Sequence, residues 1–311
     1  MKAIRIIPDD THIDFVSLKF GAFVLSAVLF LGSLGLVMTK GLNFGIDFTG
    51  GTLIEVRLDE APSLGELRDR LNALDIGAVS IQEFGSPDDL LIRLPQQAGG
   101  VEAQQLAVEA VRNSLNTIYG EEAVDYRRTE FVGPQVGGEL IQAGLFAVIF
   151  SMIGILIYVT VRFEWQFGLA AVIALVHDAV ITIGYFALTG QEFNLATVAA
   201  VLMIAGYSIN DTVVVFDRVR ENLRKFKKKS LPELLNLSVN QMLARTLLTS
   251  LTTLLALFAL YVFGGEVIRG FVNALIFGIF VGTYSSTFVA GAILLYINPR
   301  KNTSATEGAD S

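Results

Sequence analysis

Six mostly apolar stretches, at residues 15–38, 140–161, 167–189, 195–217, 245–263 and 268–297, constrain this chain more than any other feature. Each is close to the length of about 20 residues that carries an α-helix across roughly 30 Å of hydrocarbon. An isolated segment in lipid must pair its own backbone N–H and C=O groups, so helices are expected. Composition agrees, with 52% hydrophobic and only 17% charged residues among 311. The first stretch outruns the apolar core of a secretory signal, and no small-residue cleavage pattern follows Met38. It reads as an uncleaved helix that also directs insertion.

Charge orients the spans. Segment 218–244 holds seven Lys or Arg against Glu221 and Glu233, which marks it as a basic cytoplasmic loop. Lys2 and Arg5 in the N-terminal segment 1–14, Arg162, and Arg300 with Lys301 in the tail 298–311 fall on the same side, so both termini are expected inside. Segment 39–139 falls on the other side. Between Lys40 and Glu139 it carries eight basic residues against seventeen acidic ones. The absence of cysteine rules out disulfide staples and thiol chemistry.

The acidic segment has its own periodicity. A strand is expected through Asn43 to Leu58, a helix over Ser63–Leu74, strands near Val79–Phe84 and Leu90–Leu94, a helix over Val101–Tyr119, and a strand at Val124–Val132. This β-α-β-β-α-β order predicts an α+β ferredoxin-like domain. Ser63 with Glu66 fits a capping box at the first helix. In the basic loop, LPELLNLSVNQML at 231–243 suggests an interfacial amphipathic helix, or else a connector helix packed under the bundle. The polar tail from Asn302 to Ser311 is expected to be disordered.

Ionisable groups within the spans point to function, because a carboxylate at membrane depth costs about 2.5 to 3.5 kcal/mol and must be paired, protonated or hydrated. Asp178 lies mid-span beside His177, Asp211 lies about two turns inside the cytoplasmic end of its span, and Arg245 opens the fifth. An Asp211–Arg245 pair suits a proton carrier, since burial and a guanidinium act on a carboxyl in opposite directions. A fixed bridge between two helices is the structural alternative. Asp178 could likewise be satisfied by His177 alone, and Arg245 could snorkel to water. Tyr207, Ser208 and Asn210 precede Asp211 on its helix, and Thr249 follows Arg245 by one turn, so these are candidate supporting polar groups. Asp217 and Arg218 sit at the boundary, where an exposed pair needs no functional reading.

Gly270, Ala274, Gly278, Gly282, Ser286 and Ala290 recur every four residues and form a small-residue packing face. No Gly-rich loop ending in GK[ST] is present, and two histidines without cysteine argue against a structural zinc site. Neither a cofactor nor a metal is expected, and the energy for any work must come from an ion gradient or a partner.

Several motifs occur in order along nearly the whole chain: GIDFTGG at 45–51, FVGPQVGGEL at 131–140, VRFEW at 161–165, ALVHDAVITIG at 174–184, GYSINDTVVVFDRVREN at 206–222, RTLLTS at 245–250 and GTYSSTFVAGA at 282–292. They resemble the SecF family, the smaller subunits of the bacterial SecDF complex in the RND superfamily. The resemblance implies half of an RND-type bundle in the inner membrane, with 39–139 periplasmic. It implies a non-enzymatic subunit that uses the proton-motive force, or a Na⁺ gradient, to promote late steps of polypeptide export. It makes Asp211 and Arg245 the membrane Asp and Arg of that family, and matches His177–Asp178 to a further motif of the family. SecD is the implied partner, with SecYEG and YajC as looser ones, exported polypeptide as substrate, contact with membrane lipids, and no nucleic acid. An RND-like exporter of small molecules or lipids would want larger external domains; a non-coupled scaffold would leave the buried charges structural.

Overall fold

The computed structural model describes residues 11–297 and Pro299. The expectations on Lys2, Arg5, Arg300, Lys301 and the tail 302–311 lie outside these residues. In chain order the elements are α1 (Lys19–Thr39), β1 (Asn43–Phe44), α2 (Ile46–Thr49), β2 (Gly51–Leu58), α3 (Leu64–Asn72), β3 (Ser80–Phe84), β4 (Ser86–Leu94), α4 (Gly100–Tyr119) and β5 (Val124–Val132). They continue with α5 (Pro134–Arg162), α6 (Trp165–Thr189), β6 (Glu192–Phe193), α7 (Leu195–Lys225), α8 (Leu231–Phe263), α9 (Glu266–Ser285), a π-helical turn (Ser286–Ala290) and α10 (Gly291–Ile297). Among the described residues six helical stretches are long and apolar enough to span a membrane: α1, α5, α6, α7, α8, and α9 continued through the π turn into α10. The chain divides into a helical unit, made of the residues up to Asn43, Ala147–Gln191 and from Ala196 onward, and a second unit of Phe44–Phe146 with Glu192–Leu195.

The second unit has the β-α-β-β-α-β order, with an antiparallel sheet in the order β3-β4-β2-β5. Alternation sorts its side chains. Ile54, Val56, Leu90 and Ile92 face α3 and α4 and pack on Leu67, Leu71, Val111 and Leu115. On β2, β4 and β5, charged residues form cross-strand pairs: Arg57 meets Asp88 at 2.9 Å, and Arg128 meets Glu55 at 3.6 Å.

Two local expectations are corrected. The strand expected through Asn43 to Leu58 is broken by the one-turn helix α2, because Gly50 and Gly51 adopt φ of 68° and 110° and turn the chain. A Cβ at Gly51 would strike the Leu94 carbonyl, so a side chain fits neither the conformation nor the space. Ser63 precedes α3 in an extended conformation, but its side chain makes no cap. The capping box is instead at α8, where Ser230 Oγ accepts from Glu233 N–H at 3.4 Å and Ser230 N–H donates to Glu233 Oε2 at 3.0 Å.

In the helical unit α6 is the central element, and small residues let its neighbours approach. Gly184 leaves room for Ser33 of α1, and Gly168 for Thr160 of α5. Phe167, Ala170, Ala171 and Ala174 join Val159, Phe216, Val219 and Ala290 in one apolar cluster. Much of α5 is exposed along its apolar length, including Phe150, Ile153 and Ile157, while Val159 is buried.

The loop expected over 218–244 is mostly helix. α7 runs on to Lys225, and α8 begins at Leu231 and continues for 33 residues without a break at Arg245. Segment 231–243 is therefore not a separate interfacial helix. Its apolar residues Leu231, Leu235 and Val239 are buried in the cluster just described, with Phe15 and Phe163. The polar side of this segment holds the residues before α1. Asn240 bonds Ile13 reciprocally, accepting from its N–H at 2.9 Å and donating to its carbonyl at 2.8 Å. Asn236 accepts from Val16 N–H at 2.9 Å and donates to Asp14 Oδ1 at 2.6 Å. The Asn236 amide, foremost among several hydrogen bonds, holds the Asp14 carboxyl below its ordinary value.

Candidate functional site

Polar side chains that hydrocarbon disfavours meet inside the helical unit. Asp178 of α6 is 1% exposed and sits at their centre. Ser208 of α7 and Ser285 of α9 donate to the same oxygen, Oδ2, at 2.7 Å and 2.6 Å. Its other oxygen lies 2.9 Å from His177 Nδ1. The His177 ring is stacked on Phe30 of α1 and lies near Tyr284, and its Nε2 is buried without a hydrogen-bond partner. Asp178 thus ties three helices together through its carboxylate, with both oxygens engaged.

Asp211 is arranged differently. It is 3% exposed on α7, and its Oδ2 is buried without a hydrogen-bond partner. Thr249 and Arg245, one turn apart on α8, lie near it. Among the described residues no ion pair joins Asp211 to Arg245, whose side chain is exposed and lines a cleft with Arg162 and Arg218. A buried carboxyl oxygen without a donor is costly when charged. Asp178 therefore has both oxygens engaged, whereas Asp211 has a buried oxygen without a partner.

The remaining expected groups divide. Ser208 serves Asp178 rather than Asp211, because helix rotation turns it toward α6. Tyr207 OH donates to Ser250 Oγ of α8 at 3.2 Å, and Ser250 pairs with Thr283 of α9 at 2.8 Å. Thr249 bonds back to the carbonyls of Arg245 and Thr246, as hydroxyls in helices commonly do. Asn210 is exposed. Asp217 pairs with Arg162 at 3.3 Å, while Arg218 pairs with Glu221. On the small-residue face, Gly278 lies against Ile204 and Gly282 against Ser208, both on α7; Ala274, Ser286 and Ala290 are buried, and Gly270 has open space where a Cβ would stand.

Sequence reasoning missed the hub on α9. Three successive residues there reach three different helices: Thr283 to Ser250 of α8, Tyr284 to Ser26 and the Ala22 carbonyl of α1, and Ser285 to Asp178 of α6. The helix widens into a π turn immediately afterwards, at Ser286–Ala290. The available signal was five consecutive hydroxyl residues, 283–287, inside an apolar span.

Comparison with known proteins accounts for nearly the whole chain. The family model for the SecD/SecF GG motif matches residues 35–62, and that for the protein export membrane protein SecD/SecF, C-terminal, matches residues 111–300. Protein translocase subunits SecF of Rickettsia rickettsii and Rickettsia prowazekii are each 47% identical, the first over 98% of both chains and the second over 96% of this chain and 95% of the relative. A crystal structure of SecDF, a translocon-associated membrane protein from Thermus thermophilus, superposes on 94% of this chain with a TM-score of 0.83 and 37% identity. This chain spans 39% of that SecDF chain. A SecDF crystal structure in a super-membrane-facing form is also similar, with a TM-score of 0.68 and 36% identity. Six membrane-spanning helices with an inserted ferredoxin-like unit, together with these matches, make this chain a multi-pass member of the SecF family of protein translocase subunits.

Proposed function

We propose that this chain is the SecF half of a SecDF-type assembly in the bacterial inner membrane, and that with SecD it couples an ion gradient to late, periplasmic-side steps of polypeptide export. The ion is H⁺ in this reading, with Na⁺ as the other candidate, and Asp211 carries it. The observation behind the reading is the contrast between two buried carboxylates: Asp178 has both oxygens engaged, whereas Asp211 has a buried oxygen without a partner. Arg245 and Thr249 stand near Asp211 on α8, while Asp178 with His177 holds α6, α7 and α9 in register. The basic residues of the α7–α8 turn support cytoplasmic termini and a periplasmic second unit. SecYEG and YajC are the further partners of this reading, which needs no resident cofactor and no enzymatic step.

Asp211→Asn tests it, being nearly isosteric and unable to carry a proton. Assayed in the assembled complex, the variant is expected to express and assemble normally while gradient-stimulated export falls to the ungated level. Arg245→Lys keeps the charge but loses the planar fork, and is expected to shift the pH dependence of export. Full gradient-dependent export by Asp211→Asn would return the chain to the reading of an uncoupled scaffold.

A further inference from the structure

A cleft of about 340 Å³ opens between α5, α7 and α8 within the helical unit, separate from the Asp178 cluster. Its walls carry three guanidinium groups from three helices: Arg162 at the end of α5, Arg218 on α7 and Arg245 on α8. Two carboxylates also line it, and each is already held: Asp217 by Arg162 at 3.3 Å and Glu221 by Arg218. Among the described residues Arg245 makes no ion pair, and the lining carries three guanidinium groups against two carboxylates, an excess of positive charge. Arg162 is further positioned over the Phe163 ring, 5.0 Å from its centroid, and its carbonyl accepts from Arg220 at 3.1 Å.

We propose that this cleft binds the phosphate of an anionic membrane phospholipid. Guanidinium forks match phosphate oxygens bidentately, and basic pockets between helices at the cytoplasmic side suit such headgroups. A lipid is favoured over a free anion or an acidic protein segment by what adjoins the cleft. Tyr158, 57% exposed, stands on its rim as an interfacial aromatic would. From there α5 presents Ile157, Ile153 and Phe150 uncovered toward mid-span, an apolar track on which acyl chains can lie. A free phosphate would have no use for that track, and an acidic side chain would leave it bare. The site shares Arg245 with the transport reading, so its test rests on Arg162, which that reading does not use.

The test is lipid retention by the full-length chain. The protein is placed in phosphatidylcholine nanodiscs doped with phosphatidylglycerol, released, and weighed by native mass spectrometry. Wild type is expected to keep phosphatidylglycerol in preference to phosphatidylcholine. Arg162→Gln should weaken that preference about fivefold, the value of one surface cation near an anionic headgroup, and Arg162→Lys, which keeps the charge, should fall between the two. Lys227→Gln removes the same charge from the α7–α8 turn, away from the cleft lining, and should behave as wild type. An unchanged preference in folded Arg162→Gln overturns the proposal, as does an equal loss in Lys227→Gln, which would mean diffuse attraction. Displacement of the lipid by inorganic phosphate would make this a free-anion site and also overturns it. Because the chain has no cysteine, Tyr158→Cys offers a single cross-linking point. Efficient cross-linking to a second polypeptide in native membranes would mean that a protein covers the cleft, which refutes the lipid.

Discussion

Replacing Ser285 with alanine measures what the Asp178 cluster contributes and in which charge state. The Ser285 hydroxyl is fully buried and donates to Asp178 Oδ2 at 2.6 Å, so water cannot take its place without a rearrangement. A hydrogen bond to a charged acceptor contributes about 1.5–3 kcal/mol, and one to a neutral acceptor about 0.5–1.5 kcal/mol. Ser285→Ala should therefore cost about 1.5–3 kcal/mol if Asp178 is ionised. Ser208 donates to the same oxygen, so the single variants each leave one donor, whereas Ser208→Ala with Ser285→Ala orphans a buried carboxylate oxygen. The double loss should exceed the sum of the singles by about 1 kcal/mol. In an Asp178→Asn background the amide oxygen still accepts both hydroxyls but carries no charge, and the cost of Ser285→Ala should drop to about 0.5–1.5 kcal/mol. The assay is reversible denaturation of the full-length chain in mixed micelles, read by helical circular dichroism. A cost below about 0.5 kcal/mol, or the same cost in both backgrounds, would refute the reading of Asp178 as a charged tie between helices.

Further perturbations probe other contacts. Asn240→Ala removes the acceptor for the Ile13 amide and Asn236→Ala that for Val16, so hydrogen exchange at those amides should speed up by about two- to tenfold, each variant affecting its own amide first. Asp14 adds a pH dependence: its carboxyl is held below 3.8, so the stabilisation is complete above that value and is lost as pH falls through the lower folded-state value. Exchange at Ser17, whose amide donates to Asp14, should therefore be protected at neutral pH and rise only in strong acid. Gly184→Val drives a branched side chain into Ser33 of α1 and should cost about 1–3 kcal/mol, with partial recovery in the Ser33→Gly double variant. Equal unfolding midpoints for the single and double variants would show that the α1–α6 contact is not what Gly184 serves.

Apolar length and period carried most of the architecture. Crossing hydrocarbon demands one continuous run of apolar residues, which is visible without tertiary information, and alternation in β2, β4 and β5 is equally local. What failed was fine structure set by tertiary contacts. The break in the first strand follows from the positive-φ glycines Gly50 and Gly51, the second packed against Leu94, and Ser63 lost its cap while Ser230 gained one. Segment 231–243 looked amphipathic because it is, but its apolar face meets Phe15, Phe163 and Phe216 rather than lipid. In the candidate site Asp178, His177 and Asp211 were conspicuous as charge in an apolar setting. Ser285 was not, because a serine declares nothing until a partner from another helix is brought beside it. The π turn after it has no local signature at all.

The continuity of α8 carries a mechanical meaning. At 1.5 Å per residue its 33 residues make a rod about 50 Å long. Ser230 caps one end, Asn236 and Asn240 grip the segment leading into α1, and further along Ser250 bonds Tyr207 of α7 and Thr283 of α9. A rod with no joint at Arg245 cannot move these stations independently. A tilt of about 5° about its midpoint carries each end about 2 Å in opposite directions, a distance comparable to the difference between a formed and a broken hydrogen bond. Any displacement of α8 is then felt at the start of α1 in the same stroke, with the helix acting as a lever and the two asparagines as its linkage.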